Sequence, residues 1–326
     1  MKPFAHVNAR SVPEAVRLLA QYGGKAKLNA GGTDLLGVLK DRILPGYPEL
    51  IINIKTVPGL DMIEEDEERV KIGALTTLAD IIHSPLIEKN CPLLKEAAKT
   101  VASPQIRNVA TIGGNLCQDT RCWYYRYPDE IGGMIRCFRK GGKTCPAVSG
   151  ENQYHAVMGG GKCFAVCPSD TAVALAALGA TLSITGAEGT RNIPVEEFYT
   201  PLGNVLAGGE MITAVQFPKP SPAVRQAFLK FTLRKPVDFA VVSVASLLEL
   251  EQGICTGARI VLGAVAPAPV RALGAEEFLK GKKLSGEIAA EAAAIALAGA
   301  KPLSRNGYKV EIAKTLVKRV IEELVQ

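Results

Sequence analysis

Two paired-glycine turns constrain the fold of this 326-residue chain more than any other feature of its sequence. Their sequences are AGGTDL at 30–35 and TIGGNL at 111–116. Paired glycines permit positive φ and let a ligand approach the backbone, because no Cβ stands in the way. Successive N–H groups in such a turn converge on an anion, and a following helix adds a favourable dipole. Either turn alone is better explained as a tight turn, but two together can hold the two phosphates of a dinucleotide.

The common nucleotide-binding motifs do not account for these turns. No G-x-G-x-x-G follows a predicted strand. The stretch Gly142-Lys143-Thr144 has Cys137 where a P-loop requires its first glycine. The sequence therefore disfavours both a Rossmann site and a P-loop site.

Apolar periodicity predicts two α/β units followed by a small α+β domain. Ser11 and Glu14 predict a capping box for the first helix. A proline-rich stretch at 217–222 (FPKPSP) indicates a boundary. We expect domains at 1–57, at 58–217 with a cysteine-rich insert at 117–167, and at 222–326. The predicted helices are 12–22, 35–41, 77–82, 92–100, 169–178, 274–279, 285–298 and 310–325, and the predicted strands are 26–30, 50–54, 70–72, the start of 106–116, 180–185, 227–232, 240–250 and 258–263.

Composition excludes several classes of protein. The chain is 48% hydrophobic and 21% charged, the balance of a folded globular protein. Its net charge of +6 is spread along the sequence, so we expect a mildly basic surface and no nucleic-acid partner. No apolar stretch is long enough to span a bilayer, and no secretion signal is visible at the N-terminus. We therefore predict a soluble, cytoplasmic protein with no membrane partner.

Cysteine is concentrated in the middle of the chain. Six of the eight cysteines fall between residues 117 and 167. In a reducing compartment disulfides are disfavoured, so clustered thiols indicate metal ligands or redox centres. The six are Cys117, Cys122, Cys137, Cys145, Cys163 and Cys167.

Taken together, these motifs identify a resemblance. The two turns, the Ile106-Arg107-Asn108 stretch before the second, and Pro168-Ser169-Asp170 resemble segments of one family in the same order. So does the pattern from Lys230 through Arg234 to 238–240 (DFA). The family is the FAD-binding medium subunit of the xanthine dehydrogenase and carbon monoxide dehydrogenase enzymes, which are molybdenum hydroxylases.

This resemblance implies an α+β structure, a vanillyl-alcohol-oxidase/PCMH-type FAD-binding fold of two α/β subdomains plus a small α+β C-terminal domain. It implies that the amides of the two turns hold the FAD pyrophosphate. Asp170 would accept hydrogen bonds from ribityl hydroxyls, and Lys230 would lie near the isoalloxazine. The implied cofactor residues are Ala30, Gly31, Gly32, Thr33, Asp34, Leu35, Asn108, Thr111, Gly113, Gly114, Asn115, Asp170 and Lys230.

The resemblance also implies partners. A small subunit would carry two [2Fe–2S] clusters, and a large subunit would carry the molybdenum cofactor and bind the substrate. This chain would be an oxidoreductase subunit that passes electrons between an external carrier, ferredoxin or NAD, and the small subunit. A free-standing flavoenzyme of the same fold and a zinc-stabilised scaffold protein are the alternatives.

The insert resembles that of the β subunit of 4-hydroxybenzoyl-CoA reductase, which carries a [4Fe–4S] cluster. The matching pieces are 118–122 (QDTRC), two cysteines separated by a turn rich in lysine and glycine, and 163–165 (CFA). The implied ligands are Cys122, Cys137, Cys145 and Cys163, with Cys167 as the substitute for the fourth. A structural zinc site is the main alternative. His155 is better explained as a hydrogen-bonded loop residue than as a ligand.

Overall fold

The structure is a computed structural model that describes residues 1–235 and 237–325. Its N-terminal unit is a parallel sheet in the order β1-β3-β2 with two helices. Ser11 caps the first helix by accepting from the Glu14 amide, but the Glu14 carboxylate accepts from the Arg10 amide, so the predicted capping box is only half formed. The elements are β1 (Ala5–Asn8), α1 (Val12–Tyr22), β2 (Ala26–Asn29), α2 (Leu35–Lys40) and β3 (Leu50–Asn53).

The second unit is built on an antiparallel sheet in the order β4-β5-β10-β6-β7. Its strands are β4 (Ile63–Glu65), β5 (Arg69–Gly73), β6 (Thr181–Gly186), β7 (Gly189–Pro194), the hairpin β8 (Tyr199–Thr200) and β9 (Gly203–Asn204), and β10 (Met211–Pro218). Within this unit the helices ahead of the insert are α3 (Leu78–His83), α4 (Pro85–Asn90), α5 (Pro92–Lys99), α6 (Pro104–Arg107) and α7 (Ile112–Cys117).

The predicted strand at the start of 106–116 is wrong, because α6 runs to Arg107 and the glycine pair of the second turn lies in the first turn of α7. Ser103 begins α6 by accepting from the Ile106 amide, and Pro104 occupies its first turn, where a missing N–H costs nothing. Thr111 caps α7 in the same way, by accepting from Gly114. Local caps therefore outweigh the apolar alternation of the sequence here.

The insert has no sheet of its own in the described residues. It contains α8 (Trp123–Arg126), α9 (Asp129–Gly132) and short 3-10 turns at Phe138–Lys140 and Pro146–Val148. Its two ends meet, since the Thr120 hydroxyl donates to the Val166 carbonyl at 3.4 Å. The insert is also held by the C-terminal unit: the buried Lys309 ammonium donates to the carbonyls of Tyr154, His155 and Ala264.

The C-terminal unit is an antiparallel sheet in the order β11-β12-β13-β14, covered by three helices. The fully buried helix α10 (Asp170–Ala177) packs on this sheet, and Val173 lies so close to Gly263 that a Cβ there would come within 2.5 Å of it. One core cluster therefore includes residues of the second and C-terminal units, while the predicted domain boundaries stay a prediction. The remaining elements are α11 (Val195–Phe198), β11 (Val224–Phe231), β12 (Val242–Glu251), β13 (Ile254–Gly263), β14 (Val270–Arg271), α12 (Leu273–Leu279), α13 (Gly286–Ala296) and α14 (Tyr308–Val325).

Across the described residues, every helix is too short or too polar to cross a membrane.

Candidate functional site

A cleft of about 610 Å³ runs between the three units and is lined by both glycine turns. This volume lies within the roughly 300–1,000 Å³ range of ligand sites. All of the predicted cofactor residues except Asn108 line it; Asn108 is exposed just after α6 and lies outside the lining. The sequence-predicted residues in the lining are Ala30, Gly31, Gly32, Thr33, Asp34, Leu35, Thr111, Gly113, Gly114, Asn115, Asp170 and Lys230.

The two turns touch each other, which explains one of the glycines. A Cβ on Gly31 would lie 2.0 Å from the carbonyl oxygen of Val109, so only glycine lets the first turn reach the segment before the second. Gly32 has φ +70°, a conformation that residues with a Cβ rarely adopt. Gly31 is therefore needed for packing between the turns as well as for any approach of a ligand.

The backbone amides of the two turns differ in whether they donate to acceptors within the protein. Within the described part of the chain, the amides of residues 31–34 donate to no protein acceptor. In the second turn, Ile112 donates to Thr76, Gly113 to Ala74, Gly114 to the Thr111 hydroxyl and Asn115 to the Thr111 carbonyl. Only the first turn thus presents a run of free donors of the kind that binds an anion.

Asn115 ties the second turn to α10. Its Oδ1 accepts from the Ser169 hydroxyl at 2.6 Å and from the Thr171 hydroxyl at 2.7 Å. The side chain is buried. This network fixes the distance between the second turn and the start of the helix that carries Asp170.

Asp170 and Lys230 form a buried ion pair on the wall of the cleft. The two side chains are 6% and 5% exposed, and Lys230 also donates to the Thr100 carbonyl at 2.8 Å. Burial raises the pKa of Asp170, and the Lys230 ammonium opposes that rise. The structure therefore brings together two residues that the sequence places 60 positions apart.

Asn29 is a cleft residue that the sequence analysis missed. It ends β2 immediately before the first turn, and its buried Oδ1 has no hydrogen-bond partner among the described residues. A buried acceptor without a partner is costly, so this atom is suited to a donor from a ligand. Its position one residue before the AGGTDL turn is the signal that the sequence offers.

The four predicted cluster ligands line one small apolar cavity. Cys122, Cys137, Cys145 and Cys163 share this cavity with Tyr124, Tyr125, Phe138 and Ala165. Cys167 does not line it and belongs to the core around α10, while Cys117 lines the cleft instead. All eight cysteines are free thiols. In the described residues, no group of three or more His, Cys, Asp or Glu side chains is placed to hold a metal ion.

Lys140 and His155 flank these thiols. Lys140 is buried, which lowers the pKa of its ammonium, and its Nζ has no hydrogen-bond partner within the described ranges. His155 Nε2 lies 3.2 Å from the Cys122 sulfur, and its ring packs against Trp123. Burial, assisted by Lys309, lowers the pKa of His155 to about 4. The histidine is therefore neutral and hydrogen-bonded to a thiol.

Comparison with known proteins identifies the family. The family model described as the FAD binding domain in molybdopterin dehydrogenase matches residues 2–220, and that of the CO dehydrogenase flavoprotein C-terminal domain matches residues 227–324. The aldehyde oxidoreductase FAD-binding subunit PaoB of Escherichia coli (strain K12) is 34% identical over 99% of this chain and 98% of its own. The 6-hydroxypseudooxynicotine dehydrogenase complex subunit alpha of Paenarthrobacter nicotinovorans is 32% identical, covering 98% and 95%.

Solved structures agree with the sequence matches. A chain of carbon monoxide dehydrogenase from Hydrogenophaga pseudoflava, in a form lacking the Mo-pyranopterin moiety, superposes with a TM-score of 0.80 at 30% identity, covering 99% of this chain and 98% of that one. The predicted FAD-binding fold is thereby confirmed, while the narrower likeness to the 4-hydroxybenzoyl-CoA reductase β subunit stays a prediction. This chain belongs to the FAD-binding medium subunits of the xanthine dehydrogenase and carbon monoxide dehydrogenase family, and it is a flavoprotein subunit of an oxidoreductase.

Proposed function

We propose that this chain is the electron-transfer subunit of a molybdenum-hydroxylase complex, with FAD in the cleft and a [4Fe–4S] cluster in the cysteine cavity. The observation that carries the proposal is the convergence of both glycine turns, Asp170 and Lys230 on one cleft. Bound FAD would supply the redox chemistry that such a subunit needs, because a flavin can exchange electrons either in pairs or one at a time.

Different residues of the cleft would hold different parts of FAD. The free amides of residues 31–34 are assigned to the pyrophosphate, because they form the run of donors without protein acceptors. The second turn, whose amides are mostly engaged, would form the opposite wall, and Gly113 lets it pack closely on Ala74. Asn29 would accept a hydrogen bond from the cofactor. Asp170 would face ribityl hydroxyls, and Lys230 would place positive charge near the ring.

The cysteine cavity is assigned to a cluster because the insert resembles one that carries a [4Fe–4S] cluster and because its four cysteines line one cavity. A tetrahedral zinc ion on the same four thiolates is the alternative that metal analysis must exclude. The buried Lys140 ammonium would offset the negative charge of a tetrathiolate cluster. Cys163, which lines the cavity, is preferred over Cys167 as the fourth ligand.

The partners of the chain follow from its relatives. Several of them are named as medium chains or subunits, which supports a role within a complex over a free-standing flavoenzyme. We infer a small subunit with [2Fe–2S] clusters and a large subunit with the molybdenum cofactor. The external carrier would be ferredoxin or NAD. A tagged chain expressed in its native cells should elute from size-exclusion chromatography together with both partner subunits. Elution as a monomer with enzymatic activity would favour the free-standing flavoenzyme.

The cofactor proposal is tested by measuring iron, acid-labile sulfide, zinc and FAD in the full chain purified without oxygen. We expect one FAD with about four iron atoms and about four sulfides per chain. Cys137→Ser should lose the iron, while the matched variant Cys255→Ser, at a buried thiol outside the insert, should keep it. FAD with zinc and no iron would reject the cluster but keep the flavin site. A folded chain without FAD would reject the central proposal.

A further inference from the structure

The carboxylate of Asp34 accepts its hydrogen bonds from the cysteine insert, although the turn that carries Asp34 lines the cleft. Its Oδ1 accepts from Arg121 and, at 2.7 Å, from Arg126 Nη2, and its Oδ2 accepts from the Asp119 amide at 2.7 Å. The carboxylate is 16% exposed. Three donors from the first ten residues of the insert thus hold one residue of the first glycine turn.

Asp34 stays charged in this position. Burial by itself raises the pKa of its carboxyl, but the guanidiniums of Arg121 and Arg126 and the hydrogen bond from Asp119 outweigh it and lower the pKa below its usual value. Charge-assisted hydrogen bonds of this kind are stronger than neutral ones. The link between turn and insert is therefore an ionic one inside a half-buried network.

The same network continues to the cysteine cavity. The Tyr125 hydroxyl donates to Asp119 Oδ2, and the Tyr125 ring lines the cavity and packs with Cys137. Asp119 lines the cleft on its other side. A continuous series of contacts therefore runs from the free amides of the first turn, through Asp34 and Asp119, to the cysteine cavity.

We propose that Asp34 is a positioning residue that couples the affinity of the cleft for FAD to the order of the cysteine insert. The free amide donors of residues 31–34 bind an anion only while the turn is held in one conformation, and the insert supplies the contacts that hold it. Such coupling is reciprocal: the insert raises FAD affinity, and FAD stabilises the insert by the same factor. This inference rests on the part of the proposed function that seats FAD in the cleft, and it is independent of what fills the cysteine cavity.

The test is a double-mutant cycle on FAD affinity in the full chain. FAD is removed, and its Kd is measured by fluorescence for the wild type, Asp34→Asn, Arg126→Gln and the double variant. Arg126 does not line the cleft, so its effect reports on the insert. We expect each single variant to weaken FAD binding about tenfold or more, and the double variant to be no weaker than the worse single one. Glu130→Gln is the matched control, since its ion pair with Arg42 also joins the N-terminal unit to the insert but the Glu130 side chain is 59% exposed; we expect a change below about twofold.

Hydrogen exchange supplies the reciprocal readout. FAD should slow amide exchange across residues 117–149 in the wild type but not in Asp34→Asn, with exchange in strands β12 and β13 unchanged as evidence that the fold persists. An Asp34→Asn effect that is undiminished in the Arg126→Gln background would mean that Asp34 acts on the cofactor directly, and the inference would be overturned. So would single variants that leave FAD affinity unchanged. A wild-type chain that binds no FAD would instead remove the proposed function itself.

Discussion

The Nζ atom of Lys230 lies 2.7 Å from Oδ2 of Asp170, and this ion pair is buried where the C-terminal sheet meets the FAD-binding part of the chain. Removing one partner of such a pair leaves an uncompensated buried charge, whereas removing both does not. Lys230→Met should therefore lower the free energy of unfolding by about 3–5 kcal/mol.

The double variant Lys230→Met with Asp170→Asn should recover much of that loss. Urea unfolding of the FAD-free chain measures both variants. Equal destabilisation by the single and double variants would show that Asp170 carries no uncompensated charge once Lys230 is removed.

Gly31→Ala should separate the two turns, because the new Cβ would lie 2.0 Å from the Val109 carbonyl oxygen. Backbone atoms cannot yield as a flexible side chain can, so we expect FAD affinity to fall by about a hundredfold or more, a loss of roughly 3 kcal/mol. Gly37→Ala is the matched control, since its Cβ would meet nothing within 4 Å in α2. That change should stabilise the chain by up to about 1 kcal/mol. Similar FAD binding by the two variants would contradict the packing role of Gly31.

Lys140→Met should act in opposite directions on the two states of the cysteine cavity. Without a cluster, the change removes a buried ammonium that has no partner among the described residues, so the metal-free chain should become more stable. With a cluster, loss of the positive charge should lower its reduction potential by on the order of 60 mV, a tenfold change in a one-electron equilibrium. Anaerobic redox titration measures the potential, and the exposed Lys143→Met should leave it unchanged. An unchanged reduction potential in both variants would show that the charge of Lys140 does not act on the cluster.

Stability should depend on pH through Lys309, whose burial lowers its pKa to about 7 from 10.5. Above pH 7 the unfolded chain binds the proton that the folded chain releases, so the free energy of unfolding rises with pH. The penalty of burying the ammonium is full below about pH 7 and is relieved between there and 10.5. The contribution is about 1.4 kcal/mol per pH unit in that window. Urea unfolding at pH 7.0 and 8.5 should show this slope in the wild type and in the half-buried control Lys314→Met, but not in Lys309→Met.

Local patterns predicted the parts of the fold that local forces determine. The helix at 12–22 matches α1 because its apolar spacing and its Ser11 cap agree. The strand and the helix on either side of the first glycine pair are also predicted, from their apolar residues alone, since α2 has no side-chain cap. The second glycine pair is predicted as a cofactor loop, but the structure places it inside α7, and neither α6 nor α7 is predicted. The caps at Ser103 and Thr111 are present in the sequence, but the apolar alternation of 106–116 favours a strand.

Long-range pairings were beyond prediction from one sequence. Asp34 and Arg126 are 92 positions apart, and nothing local to either residue indicates the other. Lys140 lies in a run of charged residues that composition alone would place in solvent, although the structure buries it. The four cysteines that line one cavity were predicted from a resemblance, because their spacing alone does not determine which cysteines are ligands. Such features depend on how distant segments pack.

The meeting of Thr120 with Val166 means that the insert leaves the host fold almost where it entered it. A segment with adjacent ends can be gained or lost without a change in the order of the surrounding strands, as domain insertions commonly are. The length of this loop is therefore free to differ between lineages that share the flavin fold. Asp34, Asn306 and Lys309 of the host fold hold the insert through hydrogen bonds, so loss of the loop would leave these three side chains without those partners.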